Sequence, residues 1–183
     1  NPCRGELNCL LKTPGECFQK DDMQILYPKL READIWVFAT PVYYSGVSGP
    51  MKNLIDRMGP LWGPSIELFD GHCWGTLREG TKPGKVVLVS RCSYWEMDNF
   101  DQLLAQVGVL RDVAGALLRP HADTLKPMIK EGMPLNGIFE AAKEAGYQLV
   151  RDGEMSPETL NIISRELMPL ERYIEFYNQE MQK

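Results

Sequence analysis

The sequence has no long apolar run and no excess of positive charge. No apolar stretch approaches the ~20 residues that a membrane-spanning helix needs, so we expect no membrane partner. The 183 residues carry 25 acidic and 20 basic side chains, a net charge of −5. This balance argues against a nucleic-acid partner, because phosphate binding depends on Lys and Arg. With 44% hydrophobic residues, the chain is long enough to bury a core, and we expect one domain over residues 1–183.

The five cysteines are an odd number, and they lack the density of a disulfide-stabilised secreted domain. We therefore expect a reducing, cytoplasmic location. Three of them, Cys3, Cys9 and Cys17, lie in the first 20 residues, where Pro and Gly interrupt any periodicity. Glu6 stands midway between the first two.

The most informative stretch runs from residue 35 to residue 57. Residues 35–39 are apolar without alternation, which is typical of a parallel strand buried on both faces. Pro41 ends this strand. A helix is predicted over about 48–58, because apolar residues there repeat at helical spacing. They are Met51, Leu54, Ile55 and Met58.

Two further apolar strands are predicted at residues 85–90 and 113–119, the second interrupted by Gly115. A helix is predicted over about 97–111. A loop through Pro127, Gly132 and Pro134 is then expected to lead to a helix whose apolar face holds Ile138, Ala141, Ala142, Ala145 and Leu149. The order strand, helix, strand, helix, strand indicates a doubly wound parallel α/β sheet. In such sheets ligands bind at the carboxyl ends of the strands, so the loops after residues 39 and 90 are expected to form one crevice.

Other segments leave alternatives open. Residues 59–84 have no periodicity and carry several aromatic side chains. Exposed aromatics there would indicate a subunit contact or a lid over the site, and the equal alternative is an excursion that buries its own tryptophans. Asp21 and Asp22 are expected to cap a helix that Pro28 kinks or divides. The last helix begins at Ser156 and follows a heptad seam to Met181, with a kink at Pro169. Its seam could pack on the domain or on a second subunit.

Several short motifs in residues 3–57 resemble the NADPH-dependent FMN reductase and iron–sulfur flavoprotein group of the flavodoxin-like superfamily. They are Lys20-Asp21-Asp22-Met23, Glu32-Ala33-Asp34, Thr40-Pro41-Val42-Tyr43 and Lys52-Asn53-Leu54-Ile55-Asp56-Arg57. The resemblance implies a flavodoxin-like fold and FMN as cofactor. It also implies that the loop from Pro41 to Gly46 holds the flavin ring and that the loop after residue 90 lies near the pyrimidine end.

Candidate cofactor-binding residues follow from the two loops and this resemblance. They are Thr40, Pro41, Val42, Tyr43, Tyr44, Ser45, Gly46, Ser90, Arg91, Cys92 and Tyr94. Arg91 is the candidate cation for charge on the reduced ring. Cys92 is expected to be a packed thiol, because no histidine stands at a helpful spacing. His121, after the third strand, is near the crevice but is expected to have no catalytic role.

The resemblance implies a flavin-dependent oxidoreductase in which NAD(P)H reduces FMN and a small acceptor, such as a quinone or free flavin, is reduced in turn. Because the cofactor carries this chemistry, no catalytic side chain is expected. One alternative is an electron carrier with a protein partner, and another is a flavin-free interaction protein. We expect a homo-oligomer, whereas the acceptor and the choice between NADH and NADPH are left open.

The spacing of Cys3, Glu6, Cys9 and Cys17 resembles the cysteine cluster of iron–sulfur flavoproteins with its second cysteine replaced by glutamate. Iron–sulfur clusters are normally held by four thiolates, and a carboxylate is a poorer ligand for that iron. We therefore predict free thiols and no cluster. A zinc site with three cysteines and a hard fourth ligand is the open alternative.

The resemblance also leads to an expectation about the amino-terminal side. Flavodoxin-like sheets have the strand order 2-1-3-4-5, with a phosphate loop after the first strand. Residues 35–39 correspond to the third strand, and an unpaired apolar edge is an aggregation hazard. We therefore expect the natural protein to begin earlier, with a strand and a Ser- or Thr-rich phosphate loop, and the 183 residues alone to bind FMN weakly.

Overall fold

A computed structural model describes residues 1–69, 71–110, 112–135 and 137–182. The strands are β1 (Ile35–Pro41), β2 (Trp62–Phe69), β3 (His72–Leu77), β4 (Lys85–Arg91) and β5 (Val113–Arg119). The α-helices are α1 (Asn8–Leu11), α2 (Met23–Glu32), α3 (Gly49–Asp56), α4 (Asp101–Gly108), α5 (Leu125–Lys130), α6 (Ile138–Asp152), α7 (Pro157–Ser164) and α8 (Leu170–Glu180). Short 3-10 helices cover Gly59–Leu61, Met97–Phe100 and Ala122–Thr124.

The described residues form two compact units, one of residues 1–36 and 48–85 and the other of residues 37–47 and 86–183. The second unit contains most of a parallel sheet in the order β1-β4-β5. In it Leu88 is paired with Ala116 and Ser90 with Leu118. This order corresponds to the third, fourth and fifth strands of a flavodoxin-like sheet. The predicted flavodoxin-like α/β fold is confirmed.

The first unit contains an antiparallel hairpin, β2–β3, which the sequence analysis did not predict. Its register pairs Ile66 with Gly75 and Phe69 with His72. Ile66, Leu68 and Phe69 are exposed. Because both faces of β2 are largely open, apolar and polar residues do not alternate along it, and the pattern that identifies a half-buried strand is missing.

The expectation that β1 is buried on both faces is wrong for the described residues. Trp36, Phe38 and Thr40 are buried, whereas Val37 is 59% exposed and Ala39 is also exposed. Successive side chains of a strand point to opposite faces, so one face of β1 is packed and the other is open in the described part of the chain. In β4, by contrast, the three consecutive residues Val86, Val87 and Leu88 are buried.

Several helix boundaries differ from the predicted ones, and α5 (Leu125–Lys130) lies where the sequence predicted a loop through Pro127. Residues 97–100 form a 3-10 helix before α4, and the last residue of the predicted helix, Arg111, lies outside the described residues. Pro28 lies inside a single helix, α2, and does not divide it. The predicted long last helix is instead two helices, α7 and α8, because the chain is not helical over residues 165–169. None of the described helices is long and apolar enough to cross a bilayer.

Candidate functional site

A cleft of about 620 Å³ lies where the carboxyl ends of β1 and β4 meet. Its walls are formed by Val42, Tyr43, Tyr44, Ser45, Cys92, Ser93, Tyr94, Asn99 and Tyr177. The two loops predicted to form one crevice therefore do so, at the edge of the sheet where open α/β folds bind ligands. The volume lies within the usual range for small-molecule sites, about 300–1,000 Å³. Two lining residues come from outside these loops: Asn99 lies just before α4, and Tyr177 belongs to α8.

The predicted site residues fall into two groups. Val42, Tyr43, Tyr44, Ser45, Cys92 and Tyr94 line the cleft, whereas Thr40, Pro41, Gly46, Ser90 and Arg91 do not. Thr40 and Ser90 are buried, and the Ser90 hydroxyl donates a 2.7 Å hydrogen bond to the Thr40 carbonyl. This bond links β1 and β4 beneath the loops, so these two residues support the cleft without lining it.

The first loop makes a tight turn at its tip. The Tyr43 N–H donates to the Gly46 carbonyl at 2.9 Å, and the Gly46 N–H donates to the Tyr43 carbonyl at 3.0 Å. The two residues between them, Tyr44 and Ser45, have φ angles of 49° and 64°. A left-handed conformation of a residue with a side chain costs about 1–2 kcal/mol, so the surrounding bonds hold a strained turn. The Tyr44 ring is fully exposed.

The second loop is held by backbone hydrogen bonds to the end of β5 and to the residues that follow it. The Cys92 N–H donates to the Arg119 carbonyl at 3.1 Å, the His121 N–H donates to the Tyr94 carbonyl at 2.8 Å, and the Ala122 N–H donates to the Cys92 carbonyl at 3.0 Å. The two loops also meet, since the Val42 N–H donates to the Arg91 carbonyl at 2.9 Å. Both walls are therefore fixed by main-chain bonds.

Arg91 and Cys92 have different surroundings. The Arg91 side chain is exposed, pairs with Asp123 at 3.1 Å and lines a neighbouring cleft of about 740 Å³. Cys92 is buried, and burial raises the pKa of its thiol. Its sulfur donates to the Tyr94 carbonyl at 3.2 Å. The thiol thus has the environment expected of a packed side chain.

Beneath the second loop lies a buried cluster that the sequence analysis did not identify. It consists of Trp95, Arg119, His121 and Tyr173. The His121 ring is fully buried and stacks on the Trp95 ring at 4.2 Å. Burial, together with the Arg119 charge, lowers the pKa of His121 to about 4. Burial also lowers the pKa of Arg119 to about 10.

A separate small pocket of about 100 Å³ in the first unit is lined in part by Cys3, Glu6, Cys9 and Cys17. Burial, followed by the charges of the other two cysteines, raises the pKa of Cys9. A Cβ added at Gly59 would lie 3.0 Å from the Cys9 sulfur, so the missing side chain makes room for this thiol.

These residues do not fit an iron–sulfur cluster held by four thiolates. Three thiols and one carboxylate line the pocket, whereas such clusters take four cysteine ligands. Nor do the described residues include a group of three or more His, Cys, Asp or Glu side chains placed to hold one metal ion. The zinc alternative has no support in these residues.

Beside this pocket Arg57 and Asp21 form a salt bridge. The Arg57 guanidinium donates to both carboxylate oxygens of Asp21, at 2.9 and 3.0 Å, and to the Cys17 sulfur at 3.4 Å. This pairing holds the pKa of Asp21 well below its usual range. Asp21 also accepts the Met23 N–H at 3.2 Å. Of the two aspartates expected to cap α2, Asp21 therefore accepts the N–H at the start of the helix. Its ion pair with Arg57 was not predicted.

Residues 2–79 match the family model described as NADPH-dependent FMN reductase. An iron–sulfur flavoprotein of Archaeoglobus fulgidus is 48% identical over 80 residues, which cover 39% of this chain and 36% of that protein. Another from the same organism is 47% identical over 55 residues, 30% of this chain and 26% of that protein. An iron–sulfur flavoprotein of Methanocaldococcus jannaschii is 43% identical over 61 residues, 33% of this chain and 31% of that protein.

The matched stretches span only about a third or less of the length of these curated relatives. The family-model match, residues 2–79, includes the part of the chain where the sequence motifs were recognised. The resemblance of this chain to the NADPH-dependent FMN reductase and iron–sulfur flavoprotein group of the flavodoxin-like superfamily is thereby confirmed.

Proposed function

We propose that this protein is an FMN-dependent oxidoreductase that oxidises NAD(P)H and reduces a small acceptor such as a quinone or free flavin. One observation carries the proposal: the loops after β1 and β4 form one aromatic cleft of about 620 Å³. The family match and the names of the similar proteins support FMN as the ligand. The residues fit a planar ring, because tyrosines stand in both walls.

In this proposal the side chains bind and orient the ring. Tyr43 and Tyr94, from opposite loops, supply flat apolar surfaces, and Ser45 supplies a hydroxyl. Bound FMN supplies the reversible uptake of a hydride, which no side chain provides. The chain's part is to hold the ring in one orientation and to leave one face open for a nicotinamide. Neither task requires a side chain that exchanges protons.

The candidate cation for the reduced ring needs revision within this proposal. The Arg91 charge is paired with Asp123, and its side chain lines the neighbouring cleft. Main-chain N–H groups and hydroxyls in the cleft are therefore the donors we assign to the electron-rich ring. Arg91 would act only at the edge of the cleft.

Anaerobic reduction of the FMN-loaded protein tests the proposed activity. We expect NADPH or NADH to bleach the flavin absorbance near 450 nm, and a quinone added afterwards to restore it. FMN that is bound but reduced only by dithionite would contradict NAD(P)H oxidation. It would instead support the second candidate, an electron carrier with a protein partner.

The electron-carrier alternative has one specific observation in its favour. Tyr44 is fully exposed at the tip of the strained turn, next to the proposed ring site. An exposed aromatic at a cofactor edge is suited to contact with a partner protein. A colourless protein that takes up no FMN would contradict both candidates and favour a flavin-free interaction protein.

A further inference from the structure

We infer that His121 is a positioning residue whose imidazole fixes residues 92–95, of which Cys92, Ser93 and Tyr94 line the cleft proposed for the flavin ring. The inference rests on the proposed function, because it assigns His121 a role in presenting that wall to FMN. It concerns a side chain that does not itself line the cleft. The argument depends on what each part of His121 contacts.

The imidazole Nε2 of His121 is an acceptor for two donors. It lies 2.7 Å from the Arg119 Nη2 and 3.3 Å from the Leu167 backbone nitrogen. An arginine and a backbone N–H can only donate, so Nε2 carries no proton and the ring proton sits on Nδ1. The ring is thereby oriented by β5 on one side and by the segment between α7 and α8 on the other.

Further contacts connect His121 with the second loop. Its main-chain N–H holds the Tyr94 carbonyl, and its ring stacks on Trp95 at 4.2 Å with an interplanar angle of 22°. Tyr173 of α8 contacts the edge of the same ring, and its hydroxyl donates to the Ser93 carbonyl. The Trp95 ring and the carbonyls of Ser93 and Tyr94 are therefore held by His121 and Tyr173.

These contacts make the loop geometry depend on one acceptor atom. Without an acceptor at Nε2, the buried Arg119 guanidinium and the half-buried Leu167 N–H each lose a partner, which costs more than the loss of an exposed bond would. The ring position would then be set by stacking alone. Because Ser93 and Tyr94 line the cleft, a change in the ring position is transmitted to the surface that FMN contacts.

The ring tautomer is the first test, and it uses the unaltered protein. The chain has two histidines, so nitrogen-15 NMR of selectively labelled protein resolves His121 from the exposed His72. We expect the Nδ1–H tautomer for His121 at pH 7, with and without FMN. An Nε2–H tautomer would overturn the inference, since Nε2 could not then accept either bond.

FMN titration of two variants distinguishes the contribution of the Nε2 acceptor to FMN binding from that of the stacking ring. His121→Gln keeps an acceptor near the Nε2 position and loses the ring, whereas His121→Phe keeps the stacking ring and loses the acceptor. Both variants impose the same strain at this left-handed position, where φ is 39°. His72→Gln, on the exposed hairpin, is the matched control.

We expect His121→Phe to weaken FMN binding at least tenfold. His121→Gln, which keeps the acceptor but loses the stacking ring, should weaken it less, and His72→Gln should stay within threefold of the parent. Binding by His121→Phe within threefold of the parent, or equal losses in His121→Phe and His121→Gln, would overturn the inference. Failure of the parent itself to bind FMN would count against the proposed function. If a variant does not fold, the tautomer measurement decides the question alone.

Discussion

His121 follows the carboxyl end of β5, and its neighbours in sequence, Pro120 and Ala122, indicate nothing about its chemistry. In the structure it is fully buried against Trp95 and Arg119. A neutral imidazole tolerates this position, whereas an imidazolium would lie beside a second cation. Only the tertiary structure brings these groups together, which explains why the sequence analysis gave His121 no role.

This burial predicts that the protein loses stability in acid. The pKa of His121 is about 4 in the folded protein and about 6.5 in an unfolded chain. Between these values the unfolded chain binds the proton and the folded protein does not, so stability falls as the pH drops from about 6.5 to 4. The titratable groups in contact with the imidazole are Arg119 and Tyr173, and of these the Arg119 charge, after burial, lowers its pKa.

We expect this one group to lower the free energy of unfolding by about 2–3 kcal/mol over that range. Urea unfolding at pH 7 and at pH 4.5 measures the loss, and His121→Gln should show a smaller one because glutamine does not titrate. Equal losses in the parent and His121→Gln would show that other groups cause the acid sensitivity.

Glu6 is the residue that separates the cysteine pocket from a four-thiolate site. Because a carboxylate stands where a fourth thiolate is expected, we predict well under one iron–sulfur cluster per chain after anaerobic purification. Glu6→Cys should raise the iron and sulfide content. The matched control is Glu16→Cys, which adds a thiol to the same segment without lining the pocket. Stoichiometric iron and sulfide in the parent would contradict the prediction.

Among the secondary-structure elements, those with a strong apolar pattern were predicted best. Strands β4 and β5 and helices α3 and α6 lie close to their predicted positions, because buried apolar residues leave a periodic signal. The hairpin β2–β3 was missed because β2 is largely exposed on both faces. Its residues pair through main-chain bonds, which side-chain periodicity does not record.

The last two helices show a different limit of sequence analysis. The heptad seam from Leu160 to Met181 predicted one helix with a kink, yet α7 ends at Ser164 and α8 begins at Leu170. Pro169 cannot donate a helical bond and disfavours helix at the residue before it. At the carboxyl end of α7 the Arg119 guanidinium also donates hydrogen bonds to the Ile163 carbonyl at 2.7 Å and to the Arg165 carbonyl at 2.8 Å.

Arg119 therefore caps the carboxyl end of α7, where a cation is favourable. We predict that Arg119→Met lowers the free energy of unfolding by about 2–4 kcal/mol, because two carbonyls lose their donor in a buried setting. Arg91→Met, which removes an exposed ion pair, should change it by less than about 1 kcal/mol. Urea unfolding measures both variants, and hydrogen exchange should report faster opening at residues 160–164 in Arg119→Met.

Equal stability losses in the two arginine variants would contradict the capping role. So would unchanged exchange at the end of α7 in Arg119→Met. Either result would mean that the carbonyls of Ile163 and Arg165 find other donors when the guanidinium is removed.

At the scale of the whole molecule, the location of the cleft followed from the sheet. Two apolar strands followed by loops were enough to predict that Tyr43 and Tyr94 would face one crevice, because parallel strands end at the same edge. Tyr177 could not be predicted as part of it. Its heptad position indicated a packing surface, and only the break between α7 and α8 brings α8 to the cleft.

The most direct test of the account is an FMN titration of the Tyr43→Ala, Tyr44→Ala double variant. Both rings line the proposed cleft, and two aromatic contacts are worth about 1–3 kcal/mol. We therefore predict that the dissociation constant for FMN rises about tenfold or more, with an unchanged melting temperature. Tyr147→Ala, which removes an exposed tyrosine from α6, should bind FMN like the parent. A double variant that binds FMN as tightly as the parent would contradict the assignment of this cleft to the flavin ring.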